Sequence, residues 1–186
     1  LLTQAITTPV YGKLADVFGR KPLMLFGIGV FVLGSVLCAV AWSMGALIAF
    51  RALQGLGAGA IQPAGMTIMG DIYSVAERAV AQGYIASVWA TSAVVGPALG
   101  GLFSDHLSWR WIFWINLPLG LLAAAVLWVR FDERPAPHQR RPIDGWGAVL
   151  VAGAAALLLL GLLAGGIRWP WWSSESALVL GGAAVL

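Results

Sequence analysis

Charged residues are scarce in this chain of 186 residues. Asp, Glu, Lys and Arg make up 10% of it, whereas 60% of the residues are hydrophobic and the mean hydropathy is +0.85. Soluble domains carry about 25% charged residues, so the composition excludes an ordinary soluble domain and predicts an all-α polytopic membrane protein. The net charge of +3 does not indicate nucleic-acid binding, because the basic residues lie in short segments between apolar runs.

Groups that catalyse reactions or bind metals are also scarce. The one cysteine, Cys38, lies in an apolar run, so the chain cannot form an internal disulfide, and there are two histidines. No metal-ligand spacing, nucleotide-binding loop or nucleophilic triad is present. We therefore expect a membrane protein that is not an enzyme and that holds no metal or cofactor.

Long apolar runs dominate what is present. A helix needs about 20 apolar residues to cross a bilayer, and we predict complete spans at residues 22–41, 47–69, 80–103, 111–129 and 145–167. Shorter apolar stretches, at 1–11 and 177–186, begin and end the chain, so we interpret it as an internal piece of a longer protein. Residues 131–144 are polar and carry three prolines, which predicts a cytoplasmic linker between a unit at 1–130 and a unit at 145–186.

Basic residues predict the orientation, because cytoplasmic loops of membrane proteins are rich in Lys and Arg. If residues 12–21 are cytoplasmic, eight basic residues lie on that side and two on the other. The eight are Lys13, Arg20, Lys21, Arg78, Arg130, Arg134, Arg140 and Arg141; the two are Arg110 and Arg168. We therefore predict cytoplasmic loops at 12–21, 70–79 and 130–144. An excess of Arg over Lys in an Ala- and Gly-rich chain further suggests a bacterial inner membrane.

The segment at residues 12–21 is the most polar of the short connections. Gly12 and Gly19 permit close backbone approach and a positive φ. Asp16 can cap a helix N-terminus, where the helix dipole favours negative charge. Arg20 and Lys21 can pair with Asp16 or with anionic lipid headgroups. The acid and the glycines favour an ordered turn over a simple basic membrane anchor.

Arg51 is the one charge deep inside a predicted span. A central arginine costs from about 2.5 kcal/mol upward, which favours a functional role. It lies only about four residues, or roughly 6 Å, inside the predicted outer end, so snorkelling to the headgroups is an equal alternative from position alone. Gln54 follows at i+3, and a series of glycines follows Gln54. This pattern favours a helix face packed against protein rather than lipid.

Small residues recur in the span at 80–103. Ser92, Gly96 and Gly100 are spaced four apart and predict a ridge for close helix packing. Pro97 lacks a backbone N–H and clashes with the preceding turn, so we expect a bend there. Packing alone is the alternative to a functional bend. In the next span, Asn116 can hydrogen-bond to a neighbouring helix.

Three of these segments, in order, resemble signatures of the major facilitator superfamily. Residues 12–21 are similar to the signature between the family's second and third helices, with Val17 in place of a frequent basic residue. Residues 51–59 are similar to the signature of the fourth helix, whose arginine is implicated in proton coupling. The resemblance therefore implies a proton-coupling and transport role for Arg51 and Gln54. It also implies a cytoplasmic gating role for residues 12–21.

The third similarity is to the antiporter signature of the family's fifth helix, which is associated with exporters. It is carried by Gly83, Ser92, Gly96, Pro97 and Gly100, with serine in place of a glycine at residue 92. Residues 109–118 further resemble the 14-helix drug:proton antiporter branch. The resemblance implies the N-terminal helical bundle of the major facilitator fold, from mid helix 2 to helix 6, in residues 1–130. Residues 145–186 then correspond to that branch's inserted helix 7 and the start of helix 8.

The function implied by this resemblance is proton-coupled efflux of drugs or amphiphilic metabolites by alternating access. The energy source would be the proton gradient, without a cofactor. The implied partners are a small amphiphilic substrate, protons, the lipid bilayer and the C-terminal half of the same transporter; an accessory periplasmic adaptor protein is a further candidate. The alternatives are a facilitator or importer of a small nutrient, and a membrane receptor or scaffold without turnover.

Overall fold

A computed structural model of the protein describes residues 2–133 and 145–185, and nearly all regular structure in this part of the chain is α-helical. The helices are α1 (Leu2–Phe18), α2 (Arg20–Ala39), α3 (Met44–Ile72), α4 (Val75–His106), α5 (Trp111–Trp114), α6 (Asn116–Arg130), α7 (Gly145–Ala164) and α8 (Ser174–Val185). Five segments are long and apolar enough to cross a membrane: α2, α3, α4, the α5–α6 pair and α7. The predicted all-α polytopic fold is confirmed.

The connections at the predicted cytoplasmic face are shorter than the sequence suggested. The prediction of a loop at 12–21 is wrong, because α1 continues to Phe18 and α2 begins at Arg20, so that Gly19 alone separates them. Most of the predicted loop at 70–79 is helical as well. Helices α3 and α4 extend beyond their apolar runs. They have 29 and 32 residues and are roughly 44 and 48 Å long, whereas the hydrocarbon core of a bilayer is about 30 Å thick.

The predicted linker lies partly outside the described residues. Residues 131–133 follow α6 without regular structure. The remainder of the linker, with Arg134, Arg140 and Arg141, lies outside the described residues. The division into units at 1–130, 131–144 and 145–186 therefore stays a prediction.

Helix α3 lies at the centre of the bundle and packs against α1 and α2. The α2–α3 contact is close because glycines face backbone: a Cβ on Gly34 would lie 2.6 Å from the backbone nitrogen of Gln54, and one on Gly27 would lie 3.1 Å from the carbonyl oxygen of Gly57. The glycines after Gln54 thus face protein, as their spacing predicted.

The α5–α6 pair also packs on α2. Phe113 of α5 is buried against Cys38 and Ala39, near the end of α2. The helix is interrupted at Ile115, where Pro118 has no N–H to donate to the carbonyl of Trp114. Helix α7 packs against α1 and α8.

Helix α4 is the least covered of the long helices. It has no buried residue and, among the described helices, contacts only α3 and α5. A Cβ added to Gly83, Gly96 or Gly100 would meet nothing within 4 Å. The ridge's predicted close packing is therefore not found within residues 2–133 and 145–185. The helix runs unbroken through Pro97, and the expected bend there stays a prediction.

Candidate functional site

Arg51 projects from α3 beside two partners. Its Nη1 donates a hydrogen bond to Oε1 of Gln54 over 3.2 Å, and its guanidinium carbon lies 4.5 Å from the centre of the Phe113 ring, a cation–π contact. The helix begins at Met44, three residues before the predicted span, so Arg51 is about 10 Å along it. Arg51 is exposed on the described part of the chain, where only Gln54 accepts a hydrogen bond from it.

A buried polar chain continues from Gln54 into the neighbouring helices. Gln54 is 6% exposed, and its Nε2 donates to Oγ of Ser35 on α2 over 3.1 Å. Nδ2 of Asn116 on α6 donates to the same Ser35 oxygen over 2.9 Å, which confirms the predicted interhelical bond of Asn116. Ser35 itself has 0% exposure and donates to the carbonyl oxygen of Phe113 over 3.1 Å. One polar network therefore joins α2, α3, α5 and α6.

Sequence reasoning missed Ser35 and Phe113. A single serine in an apolar span has no periodic or compositional signature, and a phenylalanine at that place reads as ordinary core or lipid-facing surface. The segment does contain the only small hydroxyl residue of α2, a weak signal that could have marked Ser35.

A second group of charges gathers at the predicted cytoplasmic ends of the helices. Arg20, the first residue of α2, forms an ion pair with Asp71 in the last turn of α3. Lys21 donates to the carbonyl of Trp128 over 2.9 Å and lies 3.9 Å from the carboxylate of Asp132. Neither cation is paired with Asp16, so that alternative for the two cations is wrong.

The N-terminus of α2 is capped by a residue that is distant in sequence. The carboxylate of Glu133 accepts hydrogen bonds from the backbone N–H groups of Arg20 and Lys21, over 2.6 and 3.2 Å. Gly19 has a φ of 93°, and a Cβ there would lie 2.9 Å from Oε2 of Glu133. The acid at a helix N-terminus, where the dipole favours negative charge, is thus Glu133 rather than Asp16.

Two other expectations for this segment are corrected. Asp16 is exposed in the last turn of α1 and has no hydrogen bond or ion pair within the described ranges. Gly12 lies inside α1, and its φ is not positive. A Cβ on Gly12 would meet nothing within 4 Å, so no close approach requires glycine there. The sequence signal for the true partners was the acidic pair that follows the span at 111–129, which we assigned to the linker.

The α3–α4 connection is held by its own side chains. Arg78 donates to the carbonyl oxygens of Gly70 and Tyr73, which closes the C-terminus of α3. At the start of α4, Glu77 accepts from the backbone N–H and the hydroxyl of Ser74, over 2.9 and 2.7 Å. The turn between the two longest helices is therefore ordered by local hydrogen bonds.

Apolar helices of spanning length, a polar network buried between them and charges gathered at one end define a polytopic helical membrane protein. Comparison with protein families identifies one: the family model described as Major Facilitator Superfamily matches residues 1–185. The chain belongs to the major facilitator superfamily, whose members are membrane transporters and not enzymes.

Two similar curated proteins are named as an efflux pump and as a multidrug resistance protein. The efflux pump dotC of Dothistroma septosporum (strain NZE10 / CBS 128990) is 39% identical over 178 residues, which are 94% of this chain and 31% of the pump. Multidrug resistance protein 3 of Bacillus subtilis (strain 168) is 39% identical over 167 residues, 90% of this chain and 32% of that protein. The chain thus spans about a third of the length of these relatives.

A solved structure has the same fold. The structure titled as an auto-inhibited POT family peptide transporter superposes with a TM-score of 0.63 over 99% of this chain and 40% of that chain, at 24% sequence identity. At this identity the likeness concerns the fold alone.

Proposed function

We propose that this chain forms part of a proton-coupled exporter of drugs or amphiphilic metabolites that works by alternating access. The observation that carries the proposal is Arg51, an intramembrane cation held by Gln54 and by the ring of Phe113. The names of the similar efflux and multidrug-resistance proteins support export as the direction. The proton gradient supplies the energy, and no cofactor takes part.

Arg51 acts electrostatically in this proposal. A guanidinium stays protonated in proteins, so it cannot itself carry the transported proton. A nearby positive charge favours the ionised form of a carboxylic acid and so lowers its affinity for protons. The predicted spans of this chain contain no Asp or Glu, and we place the proton-carrying acid in a segment outside the chain. Arg51 tunes that acid, and Gln54 holds the guanidinium.

The charged cluster acts as the cytoplasmic latch. The Arg20–Asp71 ion pair joins α2 to α3, and the cap by Glu133 joins the end of α6 to α2. These contacts hold three helix ends together as one rigid face, and transporters of this type rock one bundle against the other. Asp16, exposed on that face, is the group we assign to contact with the C-terminal half.

The uncovered ridge of α4 takes a role in the same cycle. Gly96 and Gly100 leave space beside the helix backbone, and Pro97 weakens its hydrogen-bond ladder. We assign this surface to sealing the outer side against helices outside the chain.

We also propose that the chain belongs to the 14-helix branch and that it is located in a bacterial inner membrane. The similar proteins come from fungi as well as bacteria. A periplasmic adaptor protein is a proposed accessory partner.

The test uses the intact transporter in proteoliposomes. We expect Arg51→Ala to insert normally but to lose substrate-driven proton exchange, because the acid's proton affinity is no longer tuned. Arg168→Ala is the matched control, since it removes the same charge from an exposed turn and should leave exchange unchanged. Exchange at the wild-type rate in Arg51→Ala would refute the proposal. Net uptake along the gradient would instead indicate an importer, and absence of flux in the wild type a receptor or scaffold.

A further inference from the structure

The hydroxyl group of Ser35 is the point where four helices share hydrogen bonds. It receives bonds from Gln54 of α3 and Asn116 of α6, and it donates to the carbonyl of Phe113 in α5. A serine hydroxyl has one donor and two acceptor lone pairs, so these three bonds use its full capacity. The side chain has 0% exposure, and water therefore has no access to replace a missing partner.

The direction of each hydrogen bond in this network is determined by its two end groups, the Arg51 guanidinium and the Phe113 carbonyl. The Arg51 guanidinium can only donate, so it must meet the oxygen of the Gln54 amide, and the amide nitrogen must then face Ser35. Ser35 must accept from that nitrogen, and its own proton must go to the carbonyl of Phe113, which can only accept. No alternative orientation of the Gln54 amide satisfies both neighbours.

Phe113 contacts both ends of this hydrogen-bond network. Its carbonyl accepts the bond from Ser35, and its aromatic ring lies under the Arg51 guanidinium at 4.5 Å. A shift of the α5–α6 pair against α2 would therefore alter both the ring under Arg51 and the amide beside it. The guanidinium thus contacts Gln54 and Phe113 directly, and Ser35, 16 positions before Arg51, bonds to both of these partners.

We propose that Ser35, together with Asn116, is a positioning residue for Arg51. It holds the Gln54 amide so that the oxygen faces the guanidinium, and it thereby fixes the distance of the positive charge from the proton-carrying acid. This inference rests on the proposed function of Arg51 as the proton-coupling residue. Neither Ser35 nor Asn116 contacts Arg51 directly, so both act through Gln54 and Phe113.

Ionisable groups other than Arg51 are present on the helices of the bundle. On α2, Cys38 is buried against Phe113, whose ring contacts Arg51. The groups toward the predicted cytoplasmic ends are Tyr11, Lys13 and Asp16 of α1, Arg20 and Lys21 of α2, Asp71 of α3, Glu77, Arg78 and Tyr84 of α4 and Arg130 of α6. The groups toward the outer end are Asp105 and His106 of α4 and Arg110 before α5. Because ionisable groups lie at both ends, a change in the pH profile after a substitution at Ser35 is assigned to the Arg51 network only where it moves toward the profile of Arg51→Ala.

The experiment compares variants of the intact transporter in proteoliposomes. Ser35→Ala removes all three bonds, but only the bond to Gln54 orients the partner of Arg51. For this variant we expect substrate-driven proton exchange to slow about three- to tenfold, the range for the loss of that one bond, with little change in KM. We also expect the midpoint of its pH profile to move toward that of Arg51→Ala. Ser35→Thr retains the hydroxyl and should restore the wild-type midpoint. Ser87→Ala is the matched control, because that hydroxyl bonds only to the Gly83 carbonyl of its own helix.

Each outcome decides between roles. A Ser35→Ala protein that is less abundant or less heat-stable but has the wild-type pH profile would overturn the inference and leave Ser35 a structural residue. If Ser35→Ala does not insert, Asn116→Ala decides, since it removes one of the three bonds: a smaller shift in the same direction supports positioning, and an unchanged profile overturns it. Wild-type exchange in Arg51→Ala is a different result, because it refutes the proposed function itself.

Discussion

Gly19 shows how a single residue sets the geometry of the predicted cytoplasmic face. Its φ of 93° lies in the left-handed region, which glycine adopts without steric cost. This conformation turns the chain between α1 and α2 within one residue, and it leaves room for the carboxylate of Glu133 above the α2 N-terminus. Gly12 belongs to the same motif but is an ordinary helical residue, so the two glycines have different structural roles.

This difference predicts opposite effects of two alanine substitutions. Gly19→Ala should destabilise the protein by about 1–2 kcal/mol, because an L-residue is strained at positive φ, and its methyl would also press on Glu133. Gly12→Ala should be neutral or stabilise by up to about 1 kcal/mol, since it lies within α1 with open space around it. Thermal unfolding of the two purified variants in detergent checks this. Equal melting temperatures would contradict the assignment of strain to Gly19.

Helices differ in how much of their surface the described chain covers. The faces of α2 and α3 that meet are lined by glycines set against backbone. Helix α4 has similar small residues but no partner for them within the described segments. Small residues in membrane helices allow close approach wherever a neighbour is present. The sequence pattern alone therefore identifies surfaces suited to close packing, and the tertiary structure decides which of them are used.

Helix α3 offers a direct test of this distinction. Gly57→Ala should reduce stability by about 1–3 kcal/mol, because the added methyl would collide with the backbone of Gly27 and Phe31 on α2. Gly65→Ala, on the same helix with nothing within 4 Å of the new Cβ, should have no such cost. The fraction of monodisperse protein after heating measures both. A Gly65→Ala variant as unstable as Gly57→Ala would contradict the assignment of the loss to the α2–α3 contact, because alanine favours a helix more than glycine does.

Across the whole molecule, the distribution of basic residues and the positions of the helix ends indicate the same orientation in the membrane. The charged cluster formed by Arg20, Asp71 and Glu133 lies at the end of the bundle where the sequence places most of its cations. Arg168 lies in the turn between α7 and α8, toward the opposite end. An excess of positive charge on the cytoplasmic side therefore predicts that this cluster faces the cytoplasm.

Labelling of single cysteines tests the orientation. In a Cys38→Ser background, Lys13→Cys should react with a membrane-impermeant maleimide only from the cytoplasmic side, and Arg168→Cys only from the outer side. Both positions are exposed, whereas Cys38 has 0% exposure, so the unsubstituted protein serves as the unlabelled control. The opposite labelling pattern would reverse the assigned topology.

The sequence by itself determined the membrane class, the number of complete spans and the placement of Arg51 and Gln54 on one face of a helix. Hydropathy and helical spacing are local properties, so a pair at i+3 on one helix is visible without a structure. The short connection at Gly19 was misjudged because charged residues can continue a helix past the apolar core, where hydropathy no longer marks its end.

Only the tertiary structure decided the partners across helices. Glu133 caps a helix that begins 113 residues earlier, and Asn116 meets Ser35 across 81 residues. Hydrogen bonds and ion pairs depend on which helix ends and faces come within about 3–4 Å of one another. Local properties of the sequence do not determine these distances. For this reason the sequence offered Asp16 or lipid headgroups as partners of Arg20, whereas Asp71, on a helix packed into the same bundle, is its partner in the fold.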